Sequence, residues 1–223
     1  MKRTIRALAL AMLALPAVAG AQVLNFEGIG NPSSQTAAIN NFYNGVGGPA
    51  YGITFSSNAL RLCLNTPSQT CSNTSRGGYG DPNSQHGGLF FLSGPSTYMN
   101  SSSGFTTGFS FFYSAVNTGG SFDVWSGLNG TGSILASLSL PTTTSGAPGC
   151  IGGFCPFFAA GVGFSGVAQS VVFAGVADQI VFDDVTFGSE TPGTVTPEPA
   201  SMALLATGLV GIAGIARRRR NNG

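Results

Sequence analysis

The stretch SFDVWSGLNGTGSILASLSL, Ser121 to Leu140, holds two alternating runs on either side of a glycine-rich turn. Phe122 and Val124 alternate with Asp123 and Trp125, and Ile134, Ala136, Leu138 and Leu140 alternate with smaller or polar residues. Period-two alternation puts one set of side chains on each face of a strand. Between the runs, Asn129-Gly130 supplies two residues that accept positive φ, the signal of a β-hairpin. The reading is therefore antiparallel β, with one face of each strand buried.

Working outward, short runs of the same kind recur. They are Val23 to Phe26, Tyr51 to Phe55, Ala59 to Leu64, Leu89 to Leu92, Thr106 to Val116, Ser165 to Phe173 and Ala177 to Phe187. Ala37 to Tyr43 is expected as a turn of helix, and Thr66 to Gln85 as a long polar surface loop. No long amphipathic helix and no internal repeat is visible. Many short strands spaced by turns predict an all-β fold, a jelly-roll-like β-sandwich. In the last strand, Ile180 and Phe182 are in one phase and Val185 and Phe187 in the other. The phase breaks at Asp183-Asp184, which predicts a bulge there.

Both ends of the chain differ from its middle. Lys2, Arg3 and Arg6 precede the apolar run Ala7 to Leu15, and small residues end at Ala21. That is the pattern of a secretory signal peptide over 1–21. At the other end, Ala200 to Ala216 carries no charge and is followed by Arg217, Arg218, Arg219 and Arg220. As a helix the run would be about 25 Å long, the short end of what crosses a bilayer core. The arginines would hold the C-terminus on the cytoplasmic side. Expected boundaries are a sandwich over 22–187, a linker over 188–196 and a terminal signal over 197–220. Seven of the nine basic residues belong to these two ends. Between them only Arg61 and Arg76 face seven acids, a formal charge of −5. Nucleic-acid binding needs a basic footprint and is excluded.

Cys63, Cys71, Cys150 and Cys155 suit an oxidising compartment and read as two disulfides. Sequence allows three pairings; the local one joins 63 to 71 and 150 to 155. Their spacing does not fit a zinc finger or ribbon. His86 is the only histidine, so a serine–histidine–aspartate triad would have to be built on it. No Gly-x-Ser-x-Gly elbow occurs. The 127–132 loop lacks the lysine of a phosphate loop and leads into a strand. No catalytic residue is assigned, and the protein is expected not to be an enzyme.

Pro197-Glu198-Pro199, the short apolar run and the arginine cluster resemble the PEP-CTERM sorting signal of Gram-negative bacteria. The resemblance implies Sec export, transient anchoring in the inner membrane, and processing by the membrane protease exosortase. The product would then reach the cell surface or an exopolysaccharide matrix. Asn41-Phe42-Tyr43-Asn44-Gly45, Tyr51-Gly52-Ile53, the 126–132 loop and Phe182-Asp183-Asp184 also resemble PEP-CTERM cargo domains. Phe26-Glu27 and Phe182-Asp183-Asp184-Val185 loosely resemble the terminal strands of jelly-roll carbohydrate-binding modules. That likeness implies a structural calcium held by Glu27 and Asp183 or Asp184, against the plainer expectation of two solvated turn aspartates. Trp125, with Asp123 on the same strand face, is a candidate platform for a sugar ring or else part of the core. Polysaccharide is accordingly the alternative partner.

Overall fold

The computed structural model describes residues 22–65, 71, 84, 86–143 and 153–193. The expected signal peptide, most of the 66–85 loop, Cys150 and the C-terminal signal lie outside them. Twelve strands form two antiparallel sheets that pack face to face as a jelly-roll-like β-sandwich. The strands are β1 (Gln22–Leu24), β2 (Thr36–Ala38), β3 (Ile53–Phe55), β4 (Leu60–Cys63), β5 (Gly87–Phe90) and β6 (Ser96–Phe105). They continue as β7 (Gly108–Ala115), β8 (Gly120–Trp125), β9 (Ile134–Leu140), β10 (Phe158–Gly163), β11 (Ala168–Gly175) and β12 (Ile180–Phe187). One sheet runs β10-β7-β12-β5-β4-β2, with β1 also paired to β12; the other runs β3-β6-β11-β8-β9.

Alternation explains the core. Phe109, Phe111 and Tyr113 of β7 point inward, as do Phe122 and Val124 of β8 and Val171 and Phe173 of β11. Phe111 sits edge-on to Phe122 at 4.8 Å and to Phe182 at 5.3 Å between ring centroids. Such offsets match the quadrupoles of the rings and add to burial. Truncating a ring here costs about 3–5 kcal/mol.

The bulge predicted in β12 is present. Asp183 pairs with Phe112 and Thr186 with Ser110, so β12 carries one extra residue against β7. Asp184 absorbs it with φ 46°, steadied by its N–H donating to Asp183 Oδ1 at 2.7 Å. The extra residue returns Val185 and Phe187 to the core face shared with Ile180 and Phe182. The β8–β9 hairpin is also as expected, with Asn129 at φ 57° and Gly130 at φ 68°. One detail differs: a register shift at Val124/Trp125 pairs Trp125 with Ile134, leaving Ile134 exposed while Leu135 packs on the core.

Ala37 to Tyr43 is not helical. Its start is β2, paired to β4, and it ends in tight turns with Phe42 N–H donating to the Ile39 carbonyl. Ile39 and Tyr43 are both buried, and their four-residue spacing imitates a helical face. Cys63–Cys71 is a disulfide, the local pairing of the three allowed. Cys155 is disulfide-bonded too, but its expected partner Cys150 falls outside the described residues.

Candidate functional site

Two places collect the polar residues that the sequence singles out. The first lies where β1 meets the bulge of β12. Asp183 and Asp184 are fully buried, not solvated. The Ser84 hydroxyl lies 3.0 Å from Asp184 Oδ1, 3.3 Å from Asp183 Oδ2 and 3.5 Å from the Asn25 carbonyl. The set is oxygen-only, which suits a hard cation more than zinc. Glu27 leaves the same turn but points its Oε1 at backbone amides, His86 N–H at 2.8 Å and Gly87 N–H at 3.2 Å. Its carboxylate therefore ties the start of the chain to β5. Among the described residues no group of three or more His, Cys, Asp or Glu side chains is placed to hold a metal.

Around this cluster the chain is tightly constrained. Phe26 has φ 54°, and its N–H donates to the Tyr43 hydroxyl at 2.7 Å. Burial, opposed in part by that hydrogen bond and reinforced by the Asp183 charge, pushes the Tyr43 phenol well above its ordinary value. Arg61 is buried as well, with guanidinium N–H groups donating to the carbonyls of Ser34, Pro32 and His86 at 3.3–3.4 Å. Burial lowers its pKa, and nearby Glu27 works in the opposite direction. Sequence pattern does not single out Arg61, although a cation in an apolar strand is an available signal, and it holds Tyr43 only as part of the 41–45 stretch and not as a partner of Phe26.

The second place is the outer face of the β3-β6-β11-β8-β9 sheet. Asp123 and Trp125 lie there, half-buried, opposite the core residues Phe122 and Val124. Cross-strand pairing aligns Tyr98, Val172, Asp123 and Ser137 in one row. Asp123 accepts a 2.5 Å hydrogen bond from Ser137. The next row holds Asn100, Ser170, Trp125 and Ile134, and the 127–132 loop folds down over it. Asn129 N–H donates to Asn100 Oδ1 at 2.8 Å, and Asn100 Nδ2 donates back to Asn129 Oδ1 at 2.7 Å. Ser170 accepts from Gly130 N–H at 2.9 Å and donates to the Gly127 carbonyl at 2.5 Å. The Trp125 indole N–H is shielded beneath this loop, with no hydrogen-bond partner among the described residues. Trp125 is thus half-buried, with its polar edge covered by the loop.

His86 holds the fold through its backbone, donating to Glu27 and accepting from Leu64 N–H at 3.0 Å. Asp81, the nearest carboxylate in sequence, lies outside the described residues. Beyond β12, Ser189 to Gly193 do not leave the domain directly but lie against the outer face of the larger sheet. Among the described residues no helix is long and apolar enough to cross a membrane.

No curated protein matches the sequence. Three solved structures illustrate the likeness of fold. A carbohydrate-binding module of a Cellvibrio mixtus lichenase, in complex with cellotriose, is 12% identical with a TM-score of 0.34, over 58% of this chain and 95% of that one. A cleaved adhesin domain (K1) of Porphyromonas gingivalis Lys-gingipain is 15% identical with a TM-score of 0.39, over 76% of this chain and 98% of that one. A Bacillus subtilis glycoside hydrolase family 43 arabinoxylan arabinofuranohydrolase, in complex with cellotetraose, is 17% identical with a TM-score of 0.36. That match covers 60% of this chain, which spans only 25% of the enzyme's length. At the C-terminus the likeness is of another kind. Residues 195–220 match the family described as the PEP-CTERM protein-sorting motif, so the chain carries the tail of an exported protein that exosortase processes.

Proposed function

We propose that the protein is a non-enzymatic cargo, delivered to the cell surface or an exopolysaccharide matrix once exosortase has removed its tail. The observation that carries this reading is the sorting motif at 195–220, joined to a sandwich whose formal charge is acidic. Signal-peptide cleavage after Ala21 and release of the basic tail leave a mature product of opposite net charge from its precursor. Intact-mass measurement of the exported protein tests the reading. A mass lacking the signal peptide and the arginine cluster is expected; a chain still ending at Gly223 in cells with active exosortase overturns it.

A second reading is a carbohydrate-binding module. It is favoured by the half-exposed Trp125 and Asp123 beside Tyr98 on one sheet face. Polysaccharide pull-down with residues 22–196, with and without Trp125→Ala, tests it; retained binding that survives the substitution removes Trp125 from the site. Calcium belongs to the same reading. Asp183 and Asp184, with Ser84 and the Asn25 carbonyl, would hold it, and its charge would offset two adjacent buried carboxylates. A melting temperature that rises with calcium and falls with a chelator is the expected result, and no response argues against the ion.

A further inference from the structure

The segment after β12 lies in a trough made by glycines. β7 and β10 present Gly108, Gly161 and Gly163 on their outer face, where Gly163 pairs with Gly108 and Gly161 with Ser110. A Cβ on Gly108 would meet the Ser189 carbonyl carbon at 2.6 Å and Glu190 N at 2.7 Å. On Gly161 it would come within 2.1 Å of the Glu190 carbonyl oxygen, and on Gly163 within 2.1 Å of Glu190 Oε1. Three glycines in two neighbouring strands weaken a sheet. Here all three leave room for Glu190, and Gly108 for Ser189 as well.

The segment is fixed at both ends. Gly188 N–H donates to the Gly108 carbonyl at 2.9 Å, and its own carbonyl accepts from Thr107 Oγ1 at 3.1 Å. Five residues on, Gly193 N–H donates to Thr186 Oγ1 at 3.0 Å, and Val23 packs over Gly193. Thr186 Oγ1 is itself aimed by donating to the Asp184 carbonyl in the bulge. Ser189, Pro192 and Gly193 are half-buried, whereas Glu190 and Thr191 are exposed. Few apolar contacts and exposed polar residues place this segment at the low-stability end of the fold.

Docking sets a length. From Gly193 to Pro197 the chain can span at most about 14 Å, and from Phe187 to Pro197 about 36 Å, at ~3.6 Å per residue. We infer that the docked segment is a latch on tail processing: while Ser189 to Gly193 are seated on Gly108, Gly161 and Gly163 the tether to Pro197 is at its shortest, and their release lengthens it so that the motif reaches the protease. Glu190 and the three glycines are then positioning residues for the cleavage. This rests on the reading that the tail is processed.

The test uses the full chain in cells with active exosortase, following loss of the tail by pulse-chase and intact mass. Gly108→Val puts its Cβ into the latch backbone at Ser189 and Glu190. An insertion of eight Gly/Ser residues after Gly193 restores reach while leaving every packed residue in place. Each change is expected to speed processing at least threefold, and the two together to add nothing further. An insertion chain processed at the wild-type rate overturns the latch, and so does Gly108→Val processed no faster while its 188–193 segment has become protease-sensitive. If none of the chains loses its tail, the processing reading itself fails, and the latch with it.

Discussion

Both outer faces of the sandwich are crossed by a short piece of chain, and the two crossings are held in opposite ways. The 127–132 loop is pinned by side chains, through the reciprocal Asn100–Asn129 amides and the two hydrogen bonds of Ser170. The 189–193 segment rests where side chains are missing, over Gly108, Gly161 and Gly163, and is tied only at its ends, by Gly188 to Gly108 and Thr107 and by Gly193 to Thr186. A crossing secured by polar bonds opens at the cost of unpairing those of its groups that are shielded from water, here the two held by Ser170, about 1–3 kcal/mol each. A crossing that fits a groove by backbone shape loses little when it lifts. The first is suited to shaping a surface, and the second to moving.

Breaking the first crossing should be costly. Ser170→Ala leaves Gly130 N–H and the Gly127 carbonyl without their partner, and should lower unfolding free energy by about 2–3 kcal/mol in a urea titration. Asn129→Ala removes the side-chain half of the amide pair and leaves at φ 57° a residue that tolerates the left-handed region less well than asparagine. A loss of about 1–2 kcal/mol is expected, with the Asn100 bond to the residue 129 N–H surviving. Breaking the second should be nearly silent in the same assay. Gly108→Val should shift stability by no more than about 0.5 kcal/mol while making 188–193 the first site of limited proteolysis. A urea midpoint that drops as far for Gly108→Val as for Ser170→Ala would erase the distinction.

The same contrast explains which parts were legible in the sequence. The hairpin and the bulge were readable because their causes are local: Asn129-Gly130 accepts positive φ, and the phase break at Asp183-Asp184 is written in the alternation itself. β6, the longest strand, was missed. Its inward positions include Thr97 and Ser101, small polar residues that break the apolar pattern, and Thr97 is satisfied only by Ser56, 41 residues away. β10 was missed because Gly161 and Gly163 read as loop, and their reason is a segment some 27 residues further on. At the candidate sites, strand phase placed Asp123 and Trp125 together on the outer face. It could not foresee that the loop would cover the indole edge, or that Glu27 would turn its carboxylate to the amides of 86 and 87.

β12 pairs with β7, β5 and β1, and so sits at the middle of the seven-stranded sheet although it is the last strand among the described residues. In a polypeptide threaded outward from its N-terminus, that sheet stays in disconnected pieces until residue 187 has emerged. Strand order thus makes completion of the larger sheet hang on the stretch that ends eight residues before the sorting motif at 195–220.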